Sequence, residues 1–235
     1  DMIYIEVNMM EIEKWLNDVL EKKNKRAMPI ITFPAATKLN ISVKKLINDT
    51  DQQVAALKII KEECNPLAIL GFMDLSVEAE CFGAEIKVTD NEVPTVVGQL
   101  IEDEDDAQAL KVPAVGSGRS QLYIDAIKKT KAEIKDIPIL GGCIGPFSLA
   151  GRLMDVSEAM INCYEEPEMV HIVLEKATKF LIDYISAYKE AGADGILMAE
   201  PLAGVLSPVL ATEFSSTYVK KIVTAVQDEN FMVVY

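Results

Sequence analysis

Five apolar runs of strand length, separated by helical segments, constrain the fold of this chain more than any other feature. Strands of a parallel sheet are covered on both faces by other elements, so they read as continuous apolar runs. The alternation of runs and helices therefore predicts an α/β protein built on a buried parallel sheet. The predicted strands lie near residues 28–33, 67–73, 137–142, 195–200 and 231–235.

Two kinds of parallel sheet fit this pattern, the doubly wound sheet and the (β/α)8 barrel. No glycine-rich turn follows the first run, which weighs against a dinucleotide-binding sheet. The sequence stops on its fifth run, without the loop and helix that should cover that strand. We therefore expect a (β/α)8 TIM barrel, truncated after about the fifth strand. We assign residues 1–235 to this one barrel domain, with an amphipathic helix at about 9–23 and the barrel from about residue 26.

The composition excludes several classes of function. Lys and Arg number 23 against 37 Asp and Glu, a net charge of -14. Such an acidic chain repels the phosphates of nucleic acids. Its apolar runs are far shorter than the roughly 20 residues of a spanning helix, and no signal peptide opens it, so we expect a cytoplasmic protein.

The other motifs carry little chemistry. The four cysteines are too far apart for a zinc knuckle and read as reduced, mostly buried thiols. His171 is the single histidine and lies in a helical turn. Residues 116–119 resemble half of a dinucleotide fingerprint, but Gln121 replaces its third glycine and no strand precedes it. These glycines therefore indicate only a turn that leads into a helix.

Polar side chains follow the predicted strands at their carboxyl ends, where barrels place their active sites. We expect Asp74 and Glu200 to be catalytic, with Arg152 nearby. Each has a structural alternative, since either carboxylate could cap the helix that follows it and Arg152 could pair with either one. The remaining candidates, predicted to contact the substrate together with Arg152, are Phe33, Glu78, Glu80, Gly142 and Ser148.

Three segments make the chain recognisable at these positions. Residues 73–83, 145–151 and 192–208 resemble the uroporphyrinogen decarboxylase superfamily in order and spacing, and the resemblance extends from about residue 26 to 235. It implies a (β/α)8 barrel. It also implies one of two activities, the cofactor-free decarboxylase of haem biosynthesis or a zinc-dependent methyltransferase. The methyltransferases move a methyl group from a methylated corrinoid protein to a thiol such as coenzyme M.

Departures from the superfamily pattern favour the methyltransferase branch. The decarboxylase binds its substrate's carboxylates through arginines after the first strand, where this chain has Phe33–Leu39 without arginine. Arg152 replaces a substrate-contacting tyrosine and Pro201 a serine, whereas the central aspartate is retained as Asp74. We therefore expect a methyltransferase. A uroporphyrinogen decarboxylase is the alternative, and a non-catalytic barrel that binds a corrinoid protein is a third possibility.

The resemblance also implies the cofactors and the roles of the residues. The methyltransferases bind zinc through a His-x-Cys pair after the fifth strand and a later cysteine, positions beyond Tyr235. Within this chain only Glu200 is a candidate extra ligand, or else an acceptor of the thiol's proton. The resemblance implies that Asp74 orients a metal-bound group and that Arg152 holds an anionic thiol acceptor. The methylcorrinoid is carried by a partner protein.

Overall fold

The computed structural model describes residues 11–235 and contains one parallel sheet of four strands. Its strands are β1 (Ile69–Leu70), β4 (Ile139–Ile144), β5 (Gly195–Ala199) and β6 (Met232–Val234). They lie side by side in that order, as expected for consecutive β-α units. A separate antiparallel pair consists of β2 (Glu85–Lys87) and β3 (Thr95–Val97).

Helices fill the connections between the strands. They are α1 (Ile12–Glu21), α2 (Ala35–Leu39), α3 (Val43–Ile47), α4 (Thr50–Cys64), α5 (Val77–Cys81), α6 (Glu104–Ala109), α7 (Ser120–Glu133), α8 (Pro146–Met154), α9 (Val156–Glu165), α10 (Pro167–Glu190), α11 (Pro208–Ala211) and α12 (Thr217–Val226). A 3-10 turn (Pro201–Val205) follows β5, and a π-helical turn (Thr212–Ser216) joins α11 to α12. None of the described helices is long and apolar enough to cross a membrane.

The predicted strand at residues 28–33 is wrong. Pro29 has no N–H to donate and Pro34 closes the segment, so the run cannot continue a ladder. One backbone hydrogen bond, from Leu67 N to Ala27 O at 2.7 Å, joins the residue before this segment to the chain ahead of β1. Ile30 is 58% exposed, which a strand of the buried sheet would not allow.

The two faces of the sheet pack against different partners. Ile69, Ile139 and Ile196 point to one face and join the main core, in which α10 lies over β4 and β5. Leu70 and Leu140 point to the other face, where Trp15 of α1 packs against them. The helix predicted at about 9–23 corresponds to α1, which is shorter and covers Ile12–Glu21. Residues 9 and 10 lie outside the described part of the chain. Burial of both faces explains why these strands read as unbroken apolar runs.

Register brings the candidate residues to one edge of the sheet. Ile144 of β4 pairs with Ala199 of β5, so Gly145 and Glu200 follow their strands side by side. Ile69 of β1 pairs with Ile139 of β4, which places the segment from Asp74 onward at the same edge. The carboxyl ends of three adjacent strands therefore supply the polar groups, as the sequence predicts.

Candidate active site

The Asp74 carboxylate is the most heavily hydrogen-bonded group at this edge. Its Oδ1 accepts hydrogen bonds from Ser76 N at 3.2 Å and Ser76 Oγ at 2.6 Å. Its Oδ2 accepts from Arg119 Nη1 at 2.5 Å and from Tyr123 Oη at 2.7 Å. The Asp74 side chain is fully buried. Asp74 therefore does cap the turn that follows it, which was the structural alternative from the sequence. The capping bonds from Ser76 are only two of the four hydrogen bonds that Asp74 accepts.

Arg119 lies at the centre of this network, and the sequence did not reveal it. Its Nε donates to Glu80 Oε2 at 2.7 Å, and its Nη2 donates to Ser76 Oγ at 2.9 Å. The guanidinium thus bridges two carboxylates, Asp74 and Glu80, with 8% of its side chain exposed. Buried ions are retained when such bonds compensate the loss of hydration. We name these five residues, Asp74, Ser76, Glu80, Arg119 and Tyr123, the Arg119 network.

A turn positions Arg119 directly before α7. Gly116 and Gly118 have φ values of 95° and 52°, in the region that side chains rarely adopt. A Cβ at Gly118 would also lie 3.2 Å from Cγ of Glu80. The two glycines therefore let the chain approach Glu80 closely enough for Arg119 to reach Asp74. In the sequence, these two glycines were the only sign of this part of the site among the features discussed. They do not identify Arg119 as the side chain that pairs with Asp74.

Glu78 points between the ends of β1 and β4. Its Oε1 accepts a hydrogen bond from Ile144 N at 2.9 Å, where β1 has already ended and supplies no carbonyl. Its Oε2 is buried and has no hydrogen-bond partner among the described residues. Burial raises the pKa of Glu78 to about 7, and the bond from Ile144 N opposes that rise. Burial therefore favours the protonated form of Glu78.

Glu200 anchors the N-terminus of α8. Its two oxygens accept hydrogen bonds from Phe147 N at 2.9 Å and Ser148 N at 2.5 Å. Ser148 Oγ in turn accepts from Leu202 N at 3.1 Å, so α8 and the turn after β5 hold each other. Burial raises the pKa of Glu200, whereas its bonds from Ser148 and Phe147 oppose the rise. Glu200 thus caps the helix that follows β4, not the helix that follows its own strand.

Gly145 is required for this arrangement. A Cβ built there would lie 2.6 Å from Cδ and 2.8 Å from Cβ of Glu200. Because a real Cβ does not tolerate such distances, a larger residue would push the carboxylate away from α8. The glycine in the segment 145–151 therefore has a packing reason.

The other predicted contact residues lie apart from the two carboxylate clusters. Phe33 packs edge-on against Phe72, with ring centroids 5.6 Å apart. Gly142 lies under the Phe72 carbonyl, which a Cβ would approach to 2.8 Å. Arg152 is half-buried in the last turn of α8 and makes no ion pair with a described carboxylate. The structural alternative for Arg152, an ion pair with Asp74 or Glu200, is not formed, since Asp74 is paired with Arg119 and Glu200 bonds to backbone N–H groups.

The described residues do not form a metal site by themselves. No three side chains of His, Cys, Asp or Glu within residues 11–235 are grouped so that they could hold a metal ion. Burial raises the pKa of Cys143 well above its usual value, so this thiol stays protonated. Both oxygens of Glu200 are already occupied by N–H groups. The residues present here therefore do not fit a zinc ion on their own.

A family profile and several known proteins match the sequence of this chain. A sequence profile described as uroporphyrinogen decarboxylase (URO-D) matches residues 24–235. The methylcobamide:CoM methyltransferase MtbA of Methanosarcina acetivorans is 32% identical over 160 residues, which are 66% of this chain and 47% of that protein. A uroporphyrinogen decarboxylase of Coxiella burnetii is 29% identical over 168 residues, 68% of this chain and 45% of its own length.

A solved structure also matches the fold of this chain. A methyltransferase structure from Methanosarcina mazei superposes with a TM-score of 0.82 at 24% identity, covering 96% of this chain and 68% of that one. The predicted α/β fold with its parallel sheet is thus confirmed. This chain spans about half the length of the curated relatives it matches. On its sequence match and its fold, the chain belongs to the uroporphyrinogen decarboxylase family.

Proposed function

We propose that this protein is a zinc-dependent methyltransferase that moves a methyl group from a methylated corrinoid protein to a thiol acceptor of the coenzyme M type. The relative from Methanosarcina acetivorans, whose name states this class of reaction, supports the proposal. Decarboxylase relatives of similar identity keep the porphyrinogen reaction as the rival. The hydrogen bonding of Asp74 favours the methyltransferase.

The observation that carries the proposal is the saturation of Asp74. An ionised carboxylate offers about four lone-pair sites for hydrogen bonds. In this structure donors of the protein itself fill four: Ser76 N, Ser76 Oγ, Arg119 Nη1 and Tyr123 Oη. A tetrapyrrole bound through its N–H groups would find no free acceptor there. The arginine-free segment 33–39 also lacks the cations that a substrate with eight carboxylates needs.

The roles of the chain's own residues follow from their contacts. When bound, zinc would convert the acceptor thiol into a thiolate able to attack the methyl group. The ligands that the family resemblance implies lie beyond Tyr235, and no step is assigned through them. We propose that Asp74 and Glu200 act by position: Asp74 orders the segment 74–80 through Arg119, and Glu200 fixes the start of α8. Arg152 stays the proposed contact of an anionic acceptor, and Phe33, Glu80, Gly142 and Ser148 the proposed lining.

The test uses the complete gene product with methylcobalamin and 2-mercaptoethanesulfonate, following loss of the methylcobalamin absorbance. Uroporphyrinogen is offered to the same preparation in parallel. We expect thiol-dependent demethylation and no decarboxylation. Decarboxylation without demethylation would assign the rival activity instead. Capture of a corrinoid protein without turnover in either assay would identify a binding protein.

A further inference from the structure

Of the buried carboxylates Asp74, Glu78 and Glu200, only Glu78 keeps an oxygen without a hydrogen-bond partner among the described residues. Asp74 accepts four hydrogen bonds and Glu200 uses both oxygens to hold α8. Glu78 uses only Oε1, on Ile144 N, and leaves Oε2 buried without a described partner. A buried polar atom without a protein partner is a site for a water molecule or a bound group.

Among residues 11–235, no unpaired cation faces Glu78. The titratable groups that face it from the packed elements are Asp74 after β1, Arg119 before α7, Cys143 of β4, Tyr184 and Tyr188 of α10, and Cys81 of α5. Arg119 is engaged by Asp74 and Glu80, and the two tyrosine hydroxyls bond to each other at 2.8 Å. Arg119, the cation that faces Glu78 among the described residues, is therefore already paired with other carboxylates.

We propose that Glu78 takes up, through a water molecule at Oε2, the proton that the acceptor thiol loses. This inference rests on the proposed function. The S–H bond breaks with its electron pair left on sulfur, and the water molecule passes a proton to Oε2, which forms an O–H bond. Solvent receives that proton before the next turnover. The bond from Ile144 N holds the carboxyl group in one orientation in both protonation states.

The acidity of Glu78 suits this task. A general base works best when its pKa is close to the working pH, because it can then both accept and release the proton. Burial brings the pKa of Glu78 to about 7. This agrees with the geometry, in which one oxygen is fixed and the other is open to a proton.

The experiment compares kcat/KM for methyl transfer between pH 5.5 and 9 in the complete gene product. The wild type should show activity rising with pH through a pKa near 7. Glu78→Gln should lose that limb and transfer the methyl group about 10²-fold more slowly at pH 8, the scale of general base catalysis. Glu158→Gln, an exposed carboxylate in the first turn of α9, is the matched control and should follow the wild type.

Two outcomes separate the possible failures. If the wild type transfers no methyl group at any pH, the proposed function and this assignment both fail. If Glu78→Gln is active with an unchanged pH profile, this assignment alone fails. Should Glu78→Gln not fold, infrared spectra of the wild type decide: a protonated carboxyl band must disappear between pH 6 and 8, and its absence would overturn the inference.

Discussion

Replacing Glu78 by glutamine should make the folded protein more stable at pH 8. The side chain is buried, so its charge is costly there, and the pKa of Glu78 is about 7 in the folded protein against an ordinary value of 4.5. A carboxyl whose pKa is raised by folding contributes stability that is fully present below the unfolded value. That stability is lost as the pH rises through the folded value. Glutamine resembles the protonated acid and does not titrate.

The magnitude follows from the difference of the two pKa values. At about 1.36 kcal/mol per pKa unit, the rise from 4.5 to about 7 corresponds to about 3 kcal/mol. The glutamine amide also leaves an unpaired N–H group at the position of Oε2, which costs about 1 kcal/mol. At pH 8 the free energy of unfolding of the variant should therefore be about 2 kcal/mol higher than that of the wild type. At pH 4.5 it should be equal to the wild-type value or slightly lower.

Urea unfolding of both proteins at pH 4.5, 6, 7 and 8 measures this difference directly. The advantage of the glutamine variant should grow between pH 5 and 7 and stay constant above pH 8. The exposed Glu158→Gln variant should show no such trend. A variant that is equally destabilised at every pH would mean that Glu78 is ionised and paired in the folded protein, and the reasoning on its free oxygen would be refuted.

Three further substitutions test the rest of the site. Arg119→Met leaves the buried Asp74 carboxylate without its cation and should lower the free energy of unfolding by about 3–5 kcal/mol in urea titrations. Arg119→Lys should recover only part of this loss. A loss below about 1 kcal/mol for Arg119→Met would contradict the role given to the Arg119 network. Gly145→Ala should displace Glu200 from α8 and cost about 1–3 kcal/mol by the same assay, and an unchanged midpoint would speak against the close contact. Glu200→Gln keeps one acceptor for α8 and removes a desolvated charge, effects that oppose each other. Stability should stay within about 1 kcal/mol of wild type while methyl transfer slows about 10²-fold; turnover within a few-fold of wild type would show that the position of α8 does not matter to the reaction.

The fold was largely predictable because its signal is local. Four of the five apolar runs contain the strands of the sheet, since strands covered on both faces must be apolar throughout. The run at 28–33 has the same composition but carries Pro29, so its hydrophobicity reports packing and not ladder hydrogen bonds. The helical segment between β5 and β6 contains a π-helical turn at Thr212–Ser216, a one-residue change of pairing that leaves the hydrophobic pattern nearly intact.

The site was predictable in place but not in its bonding. Asp74, Glu78 and Glu200 follow strands, and the rule for parallel sheets put them at one edge. Their partners lie far away along the chain: Arg119 is 45 residues from Asp74, and Ile144 is 66 residues from Glu78. Spacing along a single sequence carries no information on such pairs. The roles of these residues as network, free base and helix anchor could therefore come only from the structure.

The hydrogen bond from Ile144 N to Glu78 also makes the Ile144 amide a reporter of local opening at the carboxyl end of β4. The amide of Ile144 is protected from hydrogen exchange by a side chain on α5, not by a neighbouring strand. Because Arg119 ties the segment around α5 to the start of α7, this segment should open together with that turn, as one unit of sub-global unfolding. The Ile144 amide should then exchange at the rate of this unit, while Gly145, whose N–H bonds to Ala199 O, exchanges more slowly with the sheet. Ile144, the last residue of β4, and Gly145, the residue after it, would thus report two different free energies of opening.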